Sequence, residues 1–256
     1  MRLKFAGVAA FALMSACNTV SYDLGDIQVK PQRFTETDPA PYDGRQPQSY
    51  AVHGTDVSKY QGDVDWAAAK ANGVSFAFVK GTEGGDRVDD LFAQNYSRTK
   101  AAGIPRSAYH FYYFCTPAAQ QARWYIQNVP NDPAALPPVL DMEWNDKSPT
   151  CKLRPSPETV RSEMQIWLSM VERHYGKRPI IYVTPDFYQE NLAGHFKSHR
   201  FFLRTVADHP SQKYPGQKWV FWQYSGTGRI PGVKGDADMN VFVGSPSAWK
   251  AFASGK

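Results

Sequence analysis

The feature that most restricts the fold is a regular alternation of strand-like and helix-like segments from residue 51 onward. Short runs rich in β-branched and aromatic residues recur, and apolar residues at helical spacing fill the intervals. The strand-like runs are YAVHGTDV, VSFAFVK, SAYHFYYF, PPVLDMEW and RPIIYVTP. The helix-like stretches are DVDWAAAKANG, DDLFAQNYSRTKAAG, TPAAQQARWYIQNV and SPETVRSEMQIWLSMVERHYG. This order predicts parallel strands joined by helices.

The alternation stops after residue 194, and the last part of the chain has a different pattern. Three more strand-like runs, RFFLRTVA, KWVFWQYS and DADMNVF, follow with only loops between them. The 256 residues are 42% hydrophobic, which is enough for one large core. We therefore predict an α/β fold over residues 51–256, an irregular TIM-like (β/α)5β3 barrel.

Proline and glycine mark the ends of the predicted helices. Two helices open on Thr116-Pro117 and Ser156-Pro157, with a hydroxyl residue at the cap and proline at the first helical position. Three of the four helix-like stretches stop at glycine. These signals predict the helix boundaries independently of the hydrophobic pattern.

The N-terminus has the pattern of an export signal. Arg2 and Lys4 precede an uncharged stretch over residues 5–16, which is too short to span a bilayer as a helix. It ends in LMSAC, which resembles the lipobox of bacterial lipoproteins, where cleavage leaves a lipid-modified cysteine at the new N-terminus. An ordinary secretory signal cut nearby is the alternative. We predict a signal peptide over residues 1–16 and lipidation of Cys17.

The residues after the predicted anchor suggest where the protein is held. Asn18 resembles the outer-membrane sorting choice of Gram-negative lipoproteins, so we expect an exported protein on the periplasmic face of the outer membrane. Residues 17–50 are polar and rich in proline, without sustained periodicity. We predict that they form a tether between the membrane and the barrel.

The charge balance narrows the choice of partner. Loss of residues 1–16 removes two basic residues from a chain whose formal net charge is +5, and the rest stays mildly basic. This charge suits an anionic polymer such as cell-wall material. No Lys/Arg-rich run or nucleic-acid motif is present, so we expect no nucleic-acid partner.

Two cysteines remain if Cys17 carries lipid. Cys115 and Cys151 would then be two thiols in an oxidising compartment, and we predict a disulfide between them. It would join the end of the YHFYYFC strand to the loop after DMEWNDKSPTC. A metal site would need more ligands than two distant cysteines offer, so we predict none.

Carboxylates follow several of the predicted strands. The active site of such a barrel lies at the carboxyl ends of its strands. Asp141 and Glu143 end the fourth strand, and residues two apart on a strand project to the same face. Asp56 ends the first strand, while Asp236 and Asp238 lie beside the last. The sequence therefore predicts carboxylates converging on one rim.

Other polar side chains at this rim carry weaker predictions. Glu83 lies beyond the second strand, and we expect it to support the rim rather than to take part in chemistry. Tyr109 and His110 lie on the third strand. Neither His110 nor His53 has a partner visible in the sequence, and no Ser/His/Asp or H-E-x-x-H spacing is present.

Clustered carboxylates suit the cleavage of a glycosidic bond. Neighbouring acids raise one another's pKa, so one can donate a proton while another stays ionised. Glycoside hydrolysis needs both roles, an acid for the leaving oxygen and an anion for the oxocarbenium-like centre. The alternative is that D-x-E is only solvated or salt-bridged, but its convergence with Asp56 and the late aspartates favours catalysis.

At this point the chain resembles the family 25 glycoside hydrolases, barrel lysozymes that cut bacterial peptidoglycan. The matching stretches cover roughly residues 52–243. In chain order they are GTDVSKYQGDVDW, GVSFAFVKGTEG, NYSRTKAAGIPRSAYHFYY, QARWYI, PPVLDMEW, YGKRPIIYVTPDFY and WVFWQYSGTGRIPGVKGDADMNVF. The resemblance implies an N-acetylmuramidase acting on the β-1,4 bonds of peptidoglycan glycan strands.

The resemblance also implies roles for individual residues. Glu143 matches the general acid, and Asp141 matches the carboxylate that stabilises the reaction centre or orients the substrate's N-acetyl group. Asp56 and Asp238 match two further acids of the sugar groove. Three aromatic residues fall where family members line this groove, namely Tyr109, Tyr182 and Trp222. We expect no cofactor and a monomeric enzyme.

One departure and two alternatives remain open at this stage. Family members often carry W-I-A where this chain has FFLRTVA, so Arg204 faces either the groove or the rim. Another barrel glycosidase, such as a chitinase with D-x-x-D-x-D-x-E, is disfavoured because Leu136 and Val139 occupy its first two acid positions. A non-catalytic wall-binding lipoprotein is disfavoured because a binder gains little from buried acids.

Overall fold

The computed structural model describes residues 27–255, and both the predicted signal peptide and Cys17 lie outside them. Its strands are β1 Thr35–Glu36, β2 Val52–Val57, β3 Val74–Glu83, β4 Arg87–Val88, β5 Arg106–Phe111, β6 Val139–Met142, β7 Ile180–Val183, β8 Arg200–Arg204, β9 Phe221–Arg229 and β10 Ala237–Phe242. Its helices are α1 Trp66–Ala71, α2 Phe92–Ala101, α3 Ala118–Asn128, α4 Pro157–Tyr175, α5 Pro185–Phe187, α6 Pro210–Lys213 and α7 Pro246–Ala253.

Eight of the strands close into a barrel. Their order is β9-β10-β2-β3-β5-β6-β7-β8, and pairing of β8 with β9 completes the ring. The strands from β2 to β9 pair in parallel around the barrel, whereas β10 is antiparallel to both β9 and β2. Helices α1 to α5 follow β2, β3, β5, β6 and β7 in turn. The predicted (β/α)5β3 barrel is therefore confirmed.

The side chains that point into the barrel are apolar in the half where the parallel strands begin. Phe76, Phe78, Phe202, Phe221 and Phe242 belong to one buried cluster inside the ring. Trp249 of α7 packs on this cluster and closes the end at which the parallel strands begin. A second buried cluster fills the space between the strands and the outer helices. The barrel is thus a packed core with one open end.

The helix starts confirm one predicted cap and correct the other. Ser156 caps α4 by accepting from the backbone N–H of Thr159. The predicted cap at Thr116 is wrong, because α3 begins one residue later, at Ala118. The backbone N–H of Ala118 donates instead to the carboxylate of Glu163 on α4, over 2.6 Å. A neighbouring helix supplies the acceptor that a hydroxyl cap would have provided.

The segment over residues 27–50, which we name the N-terminal arm, packs on the barrel, whereas the sequence indicated a flexible tether. Its strand β1 pairs with β9, and its side chains Tyr42 and Tyr50 are buried. Both tyrosine rings contact Trp222 on the outer face of β9. The arm is ordered because this part of the barrel wall has no long helix outside it, so aromatic side chains of the arm cover it.

Cys115 and Cys151 are joined in a disulfide. It links the segment after β5 to the loop after β6, two strands that are neighbours in the barrel.

Within residues 27–255, no helix is long and apolar enough to cross a bilayer.

Candidate active site

Four carboxylates lie together at the open end of the barrel. Asp56 is near the end of β2, Asp141 lies in β6, and Glu143 follows directly after that strand. Asp238 lies at the start of β10, which reaches the same rim because this strand runs in the opposite direction. All four line one cavity of about 490 Å³. The convergence predicted from the sequence is present in the fold.

The cavity is polar because the residues that point into the barrel change from apolar to charged toward the carboxyl ends of the strands. Phe78 and Val139 face inward and form part of its floor. Residues two positions further along point the same way, and these are Lys80 and Asp141. The next inward position after β6 is Glu143. One alternation therefore builds both the apolar core and the charged cavity above it.

Asp56 and Asp238 form a hydrogen-bonded pair at one side of the cavity. They lie directly opposite one another in the register of β2 and β10, and their side chains are hydrogen-bonded. Two amides donate to Asp56 Oδ2, Gln223 Nε2 at 2.9 Å and Asn240 Nδ2 at 2.8 Å. Burial raises the pKa of both carboxyls, and the charge of Asp56 raises that of Asp238 further. The pair therefore loses its proton at a higher pH than free aspartic acids do.

Asp141 and Glu143 differ in their surroundings although they are two residues apart. Asp141 is only 8% exposed, and burial together with the charge of Glu143 raises the pKa of its carboxyl well above the usual range. Its Oδ1 has no hydrogen-bond partner among the described residues. Glu143 is half-buried, and burial raises its pKa while the charge of Arg204 opposes the rise. The two titrations are thus coupled, and both carboxyls lose their protons at a higher pH than free carboxyls do.

Two cations face these acids. Lys80 donates to Glu83 Oε2 over 2.6 Å, and its charge lowers the pKa of both Asp141 and Glu143. Arg204 lines the cavity, and its guanidinium has no salt bridge within residues 27–255. Its charge favours the ionised forms of Asp56, Asp238 and Glu143. Of the two positions that the sequence left open for Arg204, the structure selects the groove.

Residues 55–233 match the family described as Glycosyl hydrolases family 25. The chain belongs to this family. Lysozyme M1 of Streptomyces globisporus is 34% identical over 220 residues, 79% of this chain and 71% of that protein. The uncharacterized protein YegX of Escherichia coli strain K12 is 38% identical over 219 residues, 82% of this chain and 76% of its own length. The structure of a family 25 glycosyl hydrolase from Bacillus anthracis superposes with a TM-score of 0.74 at 33% identity, covering 82% of this chain and 96% of the other.

The three aromatic residues that the family resemblance assigned to the sugar groove do not share one location. Tyr109 and Tyr182 line the cavity. Trp222 does not, and this assignment is wrong for the present family 25 member. Its side chain is fully buried on the outer face of β9, where the indole N–H donates to the carbonyl of Thr205 over 2.8 Å. The inward position belongs to the next residue, Gln223.

Two amides at the family 25 site were missed by sequence reasoning. Gln223 donates to Asp56 and accepts from the hydroxyl of Tyr182 over 2.8 Å, so it links two groove residues. Asn240 is the second donor to Asp56. Asn240 stands two residues after Asp238, and the alternation rule could have assigned both to the same face. No comparable signal marks Gln223, because the residues before it on both faces of its strand, Phe221 and Trp222, are apolar.

The remaining polar residues predicted at the rim are structural. His110 accepts from Thr82 through Nδ1 at 2.7 Å and donates through Nε2 to Gln121 at 3.0 Å, and burial lowers its pKa to about 4. His53 is buried too, with a pKa lowered to about 4 by burial. Glu83 pairs with a lysine, as expected of a rim support. Asp236 pairs with Arg229 in the hairpin between β9 and β10 and does not line the cavity, so its predicted convergence with the other acids is wrong.

Proposed function

We propose that this family 25 member is a lysozyme that hydrolyses the β-1,4 bond between N-acetylmuramic acid and N-acetylglucosamine in peptidoglycan. The observation that carries the proposal is the pair Asp141 and Glu143, which share one cavity but differ in burial. A relative called lysozyme, 34% identical over 220 residues, supports the same activity. The mild positive charge of the chain suits an anionic polymer.

Glu143 is assigned as the general acid. It is the more exposed member of the pair, so a glycosidic oxygen can reach it from the open end of the cavity. Burial raises its pKa, which keeps the carboxyl protonated at a higher pH than a free glutamic acid. The proton passes to the leaving oxygen as the glycosidic bond breaks.

Asp141 is assigned as the carboxylate that meets the positive charge on the substrate. Its charge is unfavourable in the free protein because the group is buried and one oxygen has no hydrogen-bond partner within residues 27–255. An oxocarbenium-like centre, or an N-acetyl group that attacks this centre, offsets that cost only as the bond breaks. The interaction is thus strongest in the transition state, which is where stabilisation increases the rate.

Asp56, Asp238, Tyr109 and Tyr182 are assigned to substrate binding. The carboxyl pair presents hydrogen-bonding oxygens at the side of the cavity. Burial and the surrounding acids raise the pKa of both tyrosines, so their hydroxyls stay protonated. The hydroxyl of Tyr109 can donate to a ligand, whereas that of Tyr182 donates to Gln223 and can accept. Their rings offer flat apolar faces to a sugar.

A non-catalytic binder of peptidoglycan is the second candidate. It would retain the groove and the aromatic rings. The specific argument against it is the burial of Asp141, because an acid without a full set of hydrogen bonds weakens the fold and helps simple binding little.

A digest of purified peptidoglycan distinguishes these functions. The unsubstituted protein and its Glu143→Gln variant are incubated with the polymer, and the products are reduced and identified by mass spectrometry. Muramic acid at the reducing ends, from the unsubstituted protein alone, is the expected result. Glucosamine at the reducing ends would make the enzyme a glucosaminidase. Binding of the polymer by folded protein without cleavage would support the non-catalytic candidate.

We also propose that the enzyme is exported and anchored through lipid on Cys17, with residues 1–16 removed as a signal peptide. The support is the resemblance of LMSAC to a lipobox. Asn18 supports placement on the periplasmic face of the outer membrane. Mass spectrometry of the N-terminal peptide and membrane fractionation test both points, with Cys17→Ser as control. A soluble product cleaved elsewhere would contradict the anchor.

We propose that the enzyme acts as a monomer, since one chain supplies every residue of the cavity. Light scattering on the purified protein tests this, and a stable dimer would contradict it.

A further inference from the structure

A second cavity lies beside the acid cavity. Its volume is about 610 Å³, within the range typical of small-molecule sites. The two cavities share the lining residues Tyr60, Lys80 and Phe111, so they form one continuous depression along the rim. Tyr60 is 82% exposed and stands where they meet. A ligand held in the acid cavity therefore has space for a substituent on this side.

The walls of the second cavity carry two cations that form no salt bridge with the described residues. Lys80 and Glu83 satisfy one another over 2.6 Å. Arg87 and Lys147 also line the cavity, both are exposed, and neither forms a salt bridge with any residue from 27 to 255. The remaining charged residue of the lining is Asp86. The lining thus has three cations against two carboxylates, and its two cations without a salt bridge favour an anionic ligand.

One wall of the cavity is held rigidly before any ligand arrives. The loop after β6 is closed by two hydrogen bonds from Arg154 to Asp146, at 3.2 Å and 2.6 Å. Inside it, Ser148 Oγ accepts from the backbone N–H of Cys151 over 3.0 Å. The disulfide then ties this loop to Cys115, which also lines the cavity. A preformed wall lowers the entropy cost of binding.

We infer that the second cavity binds the acidic peptide stem of peptidoglycan, with Arg87 and Lys147 contacting its carboxylates. The inference rests on the proposed function. N-acetylmuramic acid carries its peptide on a side arm that takes no part in the glycosidic bonds, so a muramic residue beside Glu143 can direct that peptide past Phe111. The free carboxylates of the stem are ionised at neutral pH and complement the two cations.

A further sugar of the glycan strand is the competing occupant. Neutral sugars are recognised by stacking on aromatic rings and by hydrogen bonds, and they gain little from two cations. The free charges of Arg87 and Lys147 therefore favour the peptide. Binding of glycan without stems tests this alternative in the same experiment.

The test measures binding to the full chain carrying Glu143→Gln, by titration calorimetry. The ligands are soluble muramyl glycan fragments with their peptide stems and the same fragments after an amidase has removed the stems. We expect the stems to lower the Kd by about tenfold. Adding Arg87→Ala and Lys147→Ala removes this preference. The matched control adds Arg173→Ala and Lys197→Ala, two exposed cations outside both cavities, and retains it.

Three outcomes would overturn the inference: equal affinity of the parent for both ligands, a preference that survives Arg87→Ala with Lys147→Ala, and a preference lost equally in the control. Thermal melting establishes that each variant is folded. Failure of the proposed function is distinguishable, because it appears as absence of cleavage by the unsubstituted protein and does not depend on the binding ratio.

Discussion

Trp222 and Gln223 are neighbours in the chain, yet their side chains lie on opposite sides of the barrel wall. Gln223 faces the cavity and donates to Asp56, whereas Trp222 is buried outside and packs against Tyr42 of the N-terminal arm. The two positions therefore serve different purposes, and substitutions near them should separate stability from activity.

Trp222→Ala is expected to destabilise the fold by about 3–5 kcal/mol, the usual cost of removing a large buried aromatic side chain. Tyr182→Phe removes only the hydroxyl that donates to Gln223, and should lower kcat/KM about two- to tenfold. Its cost in stability should be smaller, about 1–3 kcal/mol, because the buried Gln223 oxygen loses its donor. Denaturant unfolding and peptidoglycan turnover measure the two effects. If the Trp222→Ala protein were stable but bound its substrate much more weakly, Trp222 would be a residue of the sugar groove after all.

Glu143→Gln should lower turnover by roughly two to four orders of magnitude, because the amide cannot protonate the leaving oxygen. The expected change is in kcat, with the melting temperature close to that of the unsubstituted protein. Glu158→Gln is the matched control, since Glu158 is an exposed glutamate on α4 whose one ionic partner in the described part of the chain is Arg161. Near-normal turnover in Glu143→Gln would remove Glu143 from the acid role.

Asp141→Asn should make the protein more stable while reducing its activity, and the gain should grow with pH. The raised pKa of Asp141 means that the folded state binds more protons than the unfolded state above about pH 4, so stability falls as pH rises in this window. The asparagine side chain does not ionise, so the Asp141→Asn variant does not lose stability in this way as the pH rises. The melting temperature should rise by about 2–4 °C for each kcal/mol of relief.

The comparison has to be made between variant and unsubstituted protein at each pH. His53 and His110 have pKa values lowered to about 4, so between pH 4 and 6.5 they make the fold more stable as pH rises. Their contribution opposes that of the acids and cancels in the difference. A pH-independent difference between Asp141→Asn and the unsubstituted protein would show that the Asp141 carboxyl has an ordinary pKa.

Removal of the N-terminal arm should destabilise the barrel. A chain that starts at residue 51 loses the burial of Tyr42 and Tyr50, worth together about 3 kcal/mol or more, and exposes the outer side of Trp222. A chain that starts at residue 27 retains these contacts and is the control. Thermal melts of the two proteins measure the effect, and equal melting temperatures would mean that the arm is dispensable.

The barrel order and the acids were predictable from the sequence, because the spacing of Asp141 and Glu143 and the strand–helix alternation are local patterns. The side that Trp222 faces was not. Both faces of KWVFWQYS are mostly apolar, and both faces of a barrel strand are buried, so alternation alone selects neither register. The packing of the N-terminal arm was not predictable for a different reason. Its composition is polar and rich in proline. Tyr42 and Tyr50, which hold it on the barrel, have hydrogen-bond partners more than 150 residues away in the sequence.

Because β10 closes the barrel, it limits how far the domain can be shortened when it is fused to another protein. The match to the family description covers residues 55–233 and so stops before β10 and before Asp238. A fusion trimmed to residues 55–233 would leave β2 and β9 as unpaired edges, and open edges invite aggregation. It would also lack one of the cavity's acids. The smallest transferable unit therefore reaches at least to Phe242.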